Sequence, residues 1–393
     1  MSLEQTILEA QQATDNLYYK TKDTVSNLLS KIPIPSWFKG ETRNCIFIVI
    51  AGIIIWVIVY SLIKWQKNGL YYVYDSYKDH VLSNTLTSLY DQLPEKTEGK
   101  MLRDYYIAAS NKSYIPGNWY LSFCLLDSLK SVILCGDRFL DLDICLDSFY
   151  SDAEPLVGLV SEEAEWKSGN WRFMYNDLKL DACLDMISKT AFSLVSNRSD
   201  PLFLFFNIHF DPYNHKGTCE IIIQLLMKHF STRLLDTKQT TNITARSIKE
   251  FFGKVVVTCN KNCKGTALEE IINITWDTNA NYTRQQTFED ITEDKQYSNT
   301  AYNRAGMTMI KLPNRMNPDF VDPFSVGTQI VCMNYGLPNN NMDTYLNFFV
   351  QNDPPTSFVL RSEFLRKFET KEVNKKCPMK TKLAIGENVI KVK

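Results

Sequence analysis

DPLFLFFNIHFD, residues 200–211, is an apolar, aromatic-rich run opened by an Asp-Pro pair and too short for an ordinary helix. It reads as a strand buried on both faces. Working outward, TCEIIIQLLMKHFSTRLLD (218–236) has helical spacing and GKVVVTC (253–259) is again a strand. Upstream, LDACLDMISKTAFSLVS (180–196) and WYLSFCLLDSLKSVILCG (119–136) are helical, FLDLDICLD (139–147) alternates as a strand, and DYYIAAS (104–110) is another. FMYND (173–177) is a candidate short strand. Strands alternating with helices imply βαβ units and a parallel sheet covered on both faces, as a barrel or a doubly wound sheet. In a (β/α)8 barrel the chemistry sits at the carboxyl ends of the strands. There fall Asn111, Asp141, Asp143, Asn176 and Asn207.

The 393 residues carry 43 basic and 44 acidic side chains, a net charge of -1, so there is no electrostatic footprint for nucleic acid. The 10 cysteines are scattered, and only Cys259 and Cys263 stand close. No second pair with metal-ligand spacing answers them, so ordinary thiols or a local disulfide outweigh a zinc site. Five N-x-S/T sequons, at Asn111, Asn197, Asn242, Asn273 and Asn281, lie in an asparagine-rich chain where chance supplies several.

CIFIVIAGIIIWVIVYSLI, Cys45 to Ile63, has no charged residue and at about 1.5 Å per residue crosses roughly 30 Å of hydrocarbon. Trp37, Trp65 and Tyr71, with Arg43, Lys64 and Lys67, suit headgroup depth. The segment starts too far into the chain, and is too long, for a cleaved signal. We read a transmembrane helix over 45–65 and a single-pass membrane protein. Lys31, Lys39 and Arg43 balance Lys64, Lys67 and Lys78, which leaves the side of the membrane open. Residues 1–44 form an N-terminal segment, partly helical, with Leu3, Ile7, Ala10, Leu17 and Leu28 on a broken stripe, and 66–100 a stalk or lead-in.

The order DYYIAASNKSY, GDRFLDLDICLD, DPLFLFFNIHFD, GKVVVTC resembles the X half of the phosphoinositide-specific phospholipase C barrel. FSVGTQIVCMNYGLP around Gly327 and Gln329, DTYLNFFVQND, and SFVLRSEFLRKF from Ser357 to Phe368 are similar to the Y half. The resemblance implies a distorted TIM (β/α)8 barrel of the phospholipase C type after one transmembrane helix. It also implies an X-like half over 101–260, an insert over 261–300, a Y-like half over 301–370 and a C-terminal tail over 371–393.

The resemblance further implies where the chemistry should lie. Internal attack of an inositol hydroxyl on a phosphodiester uses a general acid and base, in this family two histidines, and a calcium ion. The first histidine position holds Asn111, and Lys112 stands where the family has a calcium-coordinating asparagine. Asp141 and Asp143 keep the alternating acidic pair on one strand face. The second histidine is matched to Asn176 in Met174–Tyr175–Asn176–Asp177, the glutamate ligand to Asn207, and the phosphate-facing lysines to Thr258 and Asn260. Asparagine exchanges no proton near pH 7, so no intact catalytic residue remains. Asp141, Asp143 and Asn207 are the weak metal candidates, for calcium, against a structural salt bridge to Lys112.

These readings lead to a membrane-anchored phospholipase-C-like pseudoenzyme, a scaffold or a binder of lipid or inositol-phosphate headgroups, without a required cofactor. Its expected partners are the bilayer, a phosphoinositide headgroup and a structural protein. Composition suits a virion or host internal membrane of a large DNA virus. The rival is an active phosphodiesterase in which His209 or His215, flanking Asp211, substitutes for a lost histidine.

Overall fold

A computed structural model describes residues 41–78, 86–92, 94–117, 123–148, 150–160, 176–236, 242–260, 263–276, 282–312, 316–367, 384–385 and 388–389. The chain divides into two compact units, Met1–Ile63 and Lys64–Lys393. In the first lies most of the apolar stretch of a helix that runs over Glu41–Lys78. Its segment Phe47–Trp65 is long and apolar enough to cross a membrane. Its large side chains, such as Ile50, Trp56 and Leu62, are exposed, as suits lipid and not a protein core. The expected N-terminal segment before residue 41 lies outside the described residues.

The second unit is a nearly closed parallel barrel. Its strands are β1 (Tyr105–Ser110), β2 (Phe139–Leu146), β5 (Leu202–Ile208), β6 (Val255–Cys259), β7 (Ile274–Thr275), β8 (Thr283–Gln286), β9 (Met307–Ile310) and β10 (Ile330–Met333). Their spatial order is β7-β6-β5-β2-β1-β10-β9-β8, every neighbour parallel. The seam lies between β7 and β8, where no backbone ladder is formed among the described residues and the Thr283 hydroxyl donates to the Thr275 carbonyl at 2.9 Å. A hairpin of β3 (Pro155–Val157) and β4 (Leu178–Lys179) runs antiparallel beside β2, and β11 (Phe358–Leu360) runs antiparallel beside β1.

Period-2 alternation explains both the core and the site. Leu140, Leu142, Ile144, Leu204, Phe206, Val255 and Val257 join the layer under the outer helices, with Leu129, Leu184 and Ile222. The alternate residues Tyr105, Ile107, Ala109, Phe139, Phe203, Phe205, Val256, Met307, Met309, Ile330 and Cys332 fill the barrel interior. Phe139 lies with its ring centroid 6.0 Å from those of Phe203 and Phe205 and 6.2 Å from that of Trp276. Continuing each inner face toward the carboxyl end brings in Asn111, Asp141, Asp143, Asn207, Thr258 and Lys311, so the apolar floor gives way to a polar mouth.

Two expected boundaries differ from the elements described. Leu86 and Leu89, expected in a stalk, are buried in the barrel's core, so the domain begins before residue 100. The expected insert over 261–300 contributes β7 and β8, short strands whose TRQQ-like polarity carries no apolar alternation. The FMYND stretch falls mostly outside the described residues, and the strand found next to it is β4. In the Y-like half, the Gln329 side chain is fully buried and bonds the Thr308 amide and the Arg103, Asn303 and Gly306 carbonyls. Of the tail, only the pair Ala384–Ile385 and Asn388–Val389 is described.

Candidate functional site

After β1 the chain turns over the end of β2. Lys112 takes a positive φ of 47°, a left-handed conformation that non-glycine residues adopt at a cost of about 1 kcal/mol or more. The turn is held because the Lys112 amide donates to Asp141 Oδ2 at 3.1 Å and the Ser113 amide to the Asp141 carbonyl at 3.0 Å. It drives the Lys112 ammonium onto Asp143 Oδ2 at 2.7 Å. The Tyr114 hydroxyl reaches the same oxygen at 2.6 Å.

Registry supplies the other side. Asp143 of β2 pairs with Asn207 of β5, and the Asn207 amide donates to Asp143 Oδ1 at 2.5 Å. Two residues on, His209 Nε2 lies 2.9 Å from the same oxygen. From the Y-like half, Lys311 follows β9 and places its ammonium 3.1 Å from Asp141 and 3.8 Å from Asp143, over the Phe205 ring. Asp141 and Asp143 are fully buried, Lys112 and Lys311 are 2% and 6% exposed, and His209 14%. Burial pushes the Asp143 carboxyl up, but Lys112, Lys311 and His209 outweigh it and hold it well below the usual carboxylate range. For Asp141 burial prevails over Lys311, with repulsion from Asp143 adding, and its carboxyl is raised.

The expected residues are sorted by this geometry. Asp141, Asp143, Asn207 and Lys112 come together. Asn111 is 1% exposed, its amide donates to the Met333 carbonyl at 2.8 Å, and both polar atoms of its side chain are buried without a partner. Asn176 is not brought to the cluster. Both polar atoms of its side chain are engaged by the Cys124 backbone, at 2.9 and 3.0 Å. The physical reason is the hairpin: β3 returns beside β2 and its continuation Gly158 donates to the Asp143 carbonyl at 3.2 Å, taking the place assigned to the Asn176 stretch. Asn260 binds the Ile208 backbone, a structural use, and Thr258 is buried in β6. His215 faces away, with Nδ1 3.0 Å from the Asp211 carbonyl. Cys259 and Cys263 lie 3.8 Å apart, too far for a disulfide of about 2.05 Å.

Lys311 was missed in sequence. Its signal is the continued alternation Met307, Met309, Lys311, which mirrors Phe139, Asp141, Asp143. The donor set does not fit calcium, since hard cations need six to eight free oxygens and here two ammonium groups, a phenol and an amide hold the carboxylates. Among the described residues no group of three or more His, Cys, Asp or Glu side chains could hold a metal ion.

The fold is that of a barrel of the phospholipase C type. In sequence, residues 99–261 match the family model described as phosphatidylinositol-specific phospholipase C, X domain, so the resemblance to that family read from the X-like half is shown. Among solved structures the chain is similar to PLC21 of S. officinalis, at 16% identity and a TM-score of 0.57, covering 70% of this chain and 38% of that one. It is likewise similar to PLC21 of L. pealei, at 16% identity and a TM-score of 0.54, covering 68% and 38%. The likeness is one of fold; it extends beyond the matched X segment, and the chain spans 38% of the length of either protein. No curated protein matches.

Proposed function

We propose that this chain is a membrane-anchored phospholipase-C-like barrel that has exchanged calcium-dependent phosphodiester cleavage for binding. The observation that carries the reading is the pair of lysines on the acidic residues: Lys112 2.7 Å from Asp143 and Lys311 3.1 Å from Asp141. A further cation at about 4 Å from either ammonium meets a repulsion on the order of 4 kcal/mol per unit charge at an effective dielectric of about 20. Asn111, at the family's histidine position, neither takes nor gives a proton, and losing a general acid or base removes roughly 10²–10⁴ of rate. The unpartnered Asn111 side chain, with two N–H donors and an acceptor oxygen, supports recognition of a hydroxyl-rich headgroup at the mouth. The apolar helix supports anchoring next to the lipid that carries such a headgroup. A place in a virion or host internal membrane, where the barrel links bilayer to protein shell, belongs to the same proposal. It rests on composition alone, and cross-linking to a shell protein tests it.

One observation favours the second reading, an active phosphodiesterase with rearranged residues: His209 and Asp143 form a 2.9 Å pair at the mouth, the form of an oriented acid–base group. Hydrolysis of phosphatidylinositol and phosphatidylinositol bisphosphate in vesicles by the full chain separates the two, with and without calcium, beside His209→Gln and an Asp141→Ala, Asp143→Ala variant. The pseudoenzyme reading expects no product above the double variant. Turnover that is lost with His209→Gln establishes the rival.

A further inference from the structure

At the amino-terminal end of the barrel, between the start of β1 and the end of β11, lies a cavity of about 210 Å³. Its lining includes Lys96, Tyr105, Arg361, Ser362, Glu363 and Arg366. Three of these are cations and one is a carboxylate. That carboxylate, Glu363, is already paired with Lys367.

Arg361 is the informative residue. It is 1% exposed, and its Nη1 and Nη2 donate to the Gly327 and Asn303 carbonyls at 2.8 and 3.0 Å. Its Nε is buried with no hydrogen-bond partner. Among the described residues no carboxylate lies within ion-pair distance of it. Asp104, whose field reaches it, spends Oδ2 on the Met101 amide at 2.8 Å. Burial lowers the guanidinium to about 10, so it is still charged near neutral pH. Arg366 donates its Nε to the Arg361 carbonyl at 2.7 Å, which fixes the second guanidinium against the Arg361 backbone, where its charge is felt by the first. A buried guanidinium without an ion-pair partner is costly, so its charge favours an anion nearby.

We propose that this cavity binds a phosphoryl group, held by Arg366 and Lys96 and favoured by the buried positive charge of Arg361 behind them, with Ser362 at its edge. The cavity is smaller than the roughly 300–1,000 Å³ that a drug-sized ligand needs, so it admits a small phosphate or the terminal phosphate of a larger molecule. The site lies at the opposite end of the strands from Asp143, and stands whether or not the mouth binds a headgroup.

The test is calorimetric titration of the full chain in detergent with inorganic phosphate, against chloride at matched ionic strength. Lys96→Gln, Arg366→Gln and the double variant are run in parallel, each checked for an unchanged melting curve. Both substituted residues lie at the rim, so the barrel survives their loss; Arg361→Lys adds a conservative probe of the buried cation. The expected result is saturable phosphate binding, weakened about tenfold or more by each single change and absent in the double variant. No saturable binding, equal binding in the double variant, or an equal response to chloride overturns the proposal. Vesicles of phosphatidylcholine with phosphatidic acid then identify the source: displacement of phosphate assigns a lipid phosphate, and undisturbed binding a free one.

Discussion

The two ends of this barrel treat buried cations in opposite ways. At the carboxyl end Lys112 and Lys311 are each laid on a buried carboxylate, with Tyr114, Asn207 and His209 filling the remaining positions around Asp143. At the amino end Arg361 is equally buried but spends its donors on carbonyls, with no carboxylate within ion-pair distance among the described residues. A closed charge cluster has its carboxylates already engaged by the protein's own cations and donors. An uncompensated guanidinium leaves attraction unspent, and there a ligand gains most.

The largest expected effect comes from opening the finished cluster. Asp143→Ala removes one of the two buried carboxylates that face Lys112 and Lys311, and should destabilise the domain by about 3–5 kcal/mol in chemical denaturation. A loss below about 1 kcal/mol would mean that the mouth is solvated and the contrast between the ends is false. Acid gives the same cluster a sign. Because Asp143 is held below its ordinary value, its contribution is present above about pH 4 and is lost as pH falls through its folded value.

Next in size is the amino end's opposite response to pH. Asp200, just ahead of β5, accepts from the Ser88 hydroxyl and the Leu89 amide, both at 2.6 Å. Burial, partly offset by Arg138, pushes its carboxyl up to about 6. The folded state therefore holds this proton more tightly than the unfolded one, and stability falls as pH rises between about 4 and 6, by about 2–3 kcal/mol. Asp200→Asn should flatten melting temperature against pH in that window, and an unchanged slope would assign it to another group.

Gly327 sharpens the comparison by about 1–3 kcal/mol. Its φ is +82° and an added Cβ would lie 2.8 Å from Arg361 Nη1, so Gly327→Ala both strains the turn and displaces the guanidinium. Thermal melts should show the loss and phosphate titration a weaker site. Smallest is Arg366→Gln, expected to stay within about 0.5 kcal/mol of the parent while still weakening phosphate binding.

What the sequence discloses follows from apolar alternation. Strands β1, β2, β5, β6 and β10 are legible because their buried faces are filled by Phe, Leu, Ile and Val, and the acidic pair of β2 stands out among them. The seam strands β7 and β8 are not, since two residues and a polar TRQQ leave no pattern to read. Lys311 is hidden for a related reason: it follows a four-residue strand, MTMI, and its partner lies 170 positions away. Asn176 lies apart from the cluster, and motif order alone does not reveal that EPLV returns as a hairpin against β2. The amino-terminal cavity has no motif at all. It exists because β11 brings Arg361 alongside the start of β1, a contact across the whole domain.

Calcium titration of the full chain, followed by calorimetry beside the Asp141→Ala, Asp143→Ala variant, tests the central claim most directly. With the lysines seated on both carboxylates, no saturable calcium uptake is expected in either protein. Uptake by the parent that the double variant loses would show that Lys112 and Lys311 yield the carboxylates to a metal, and that the mouth is a working calcium site.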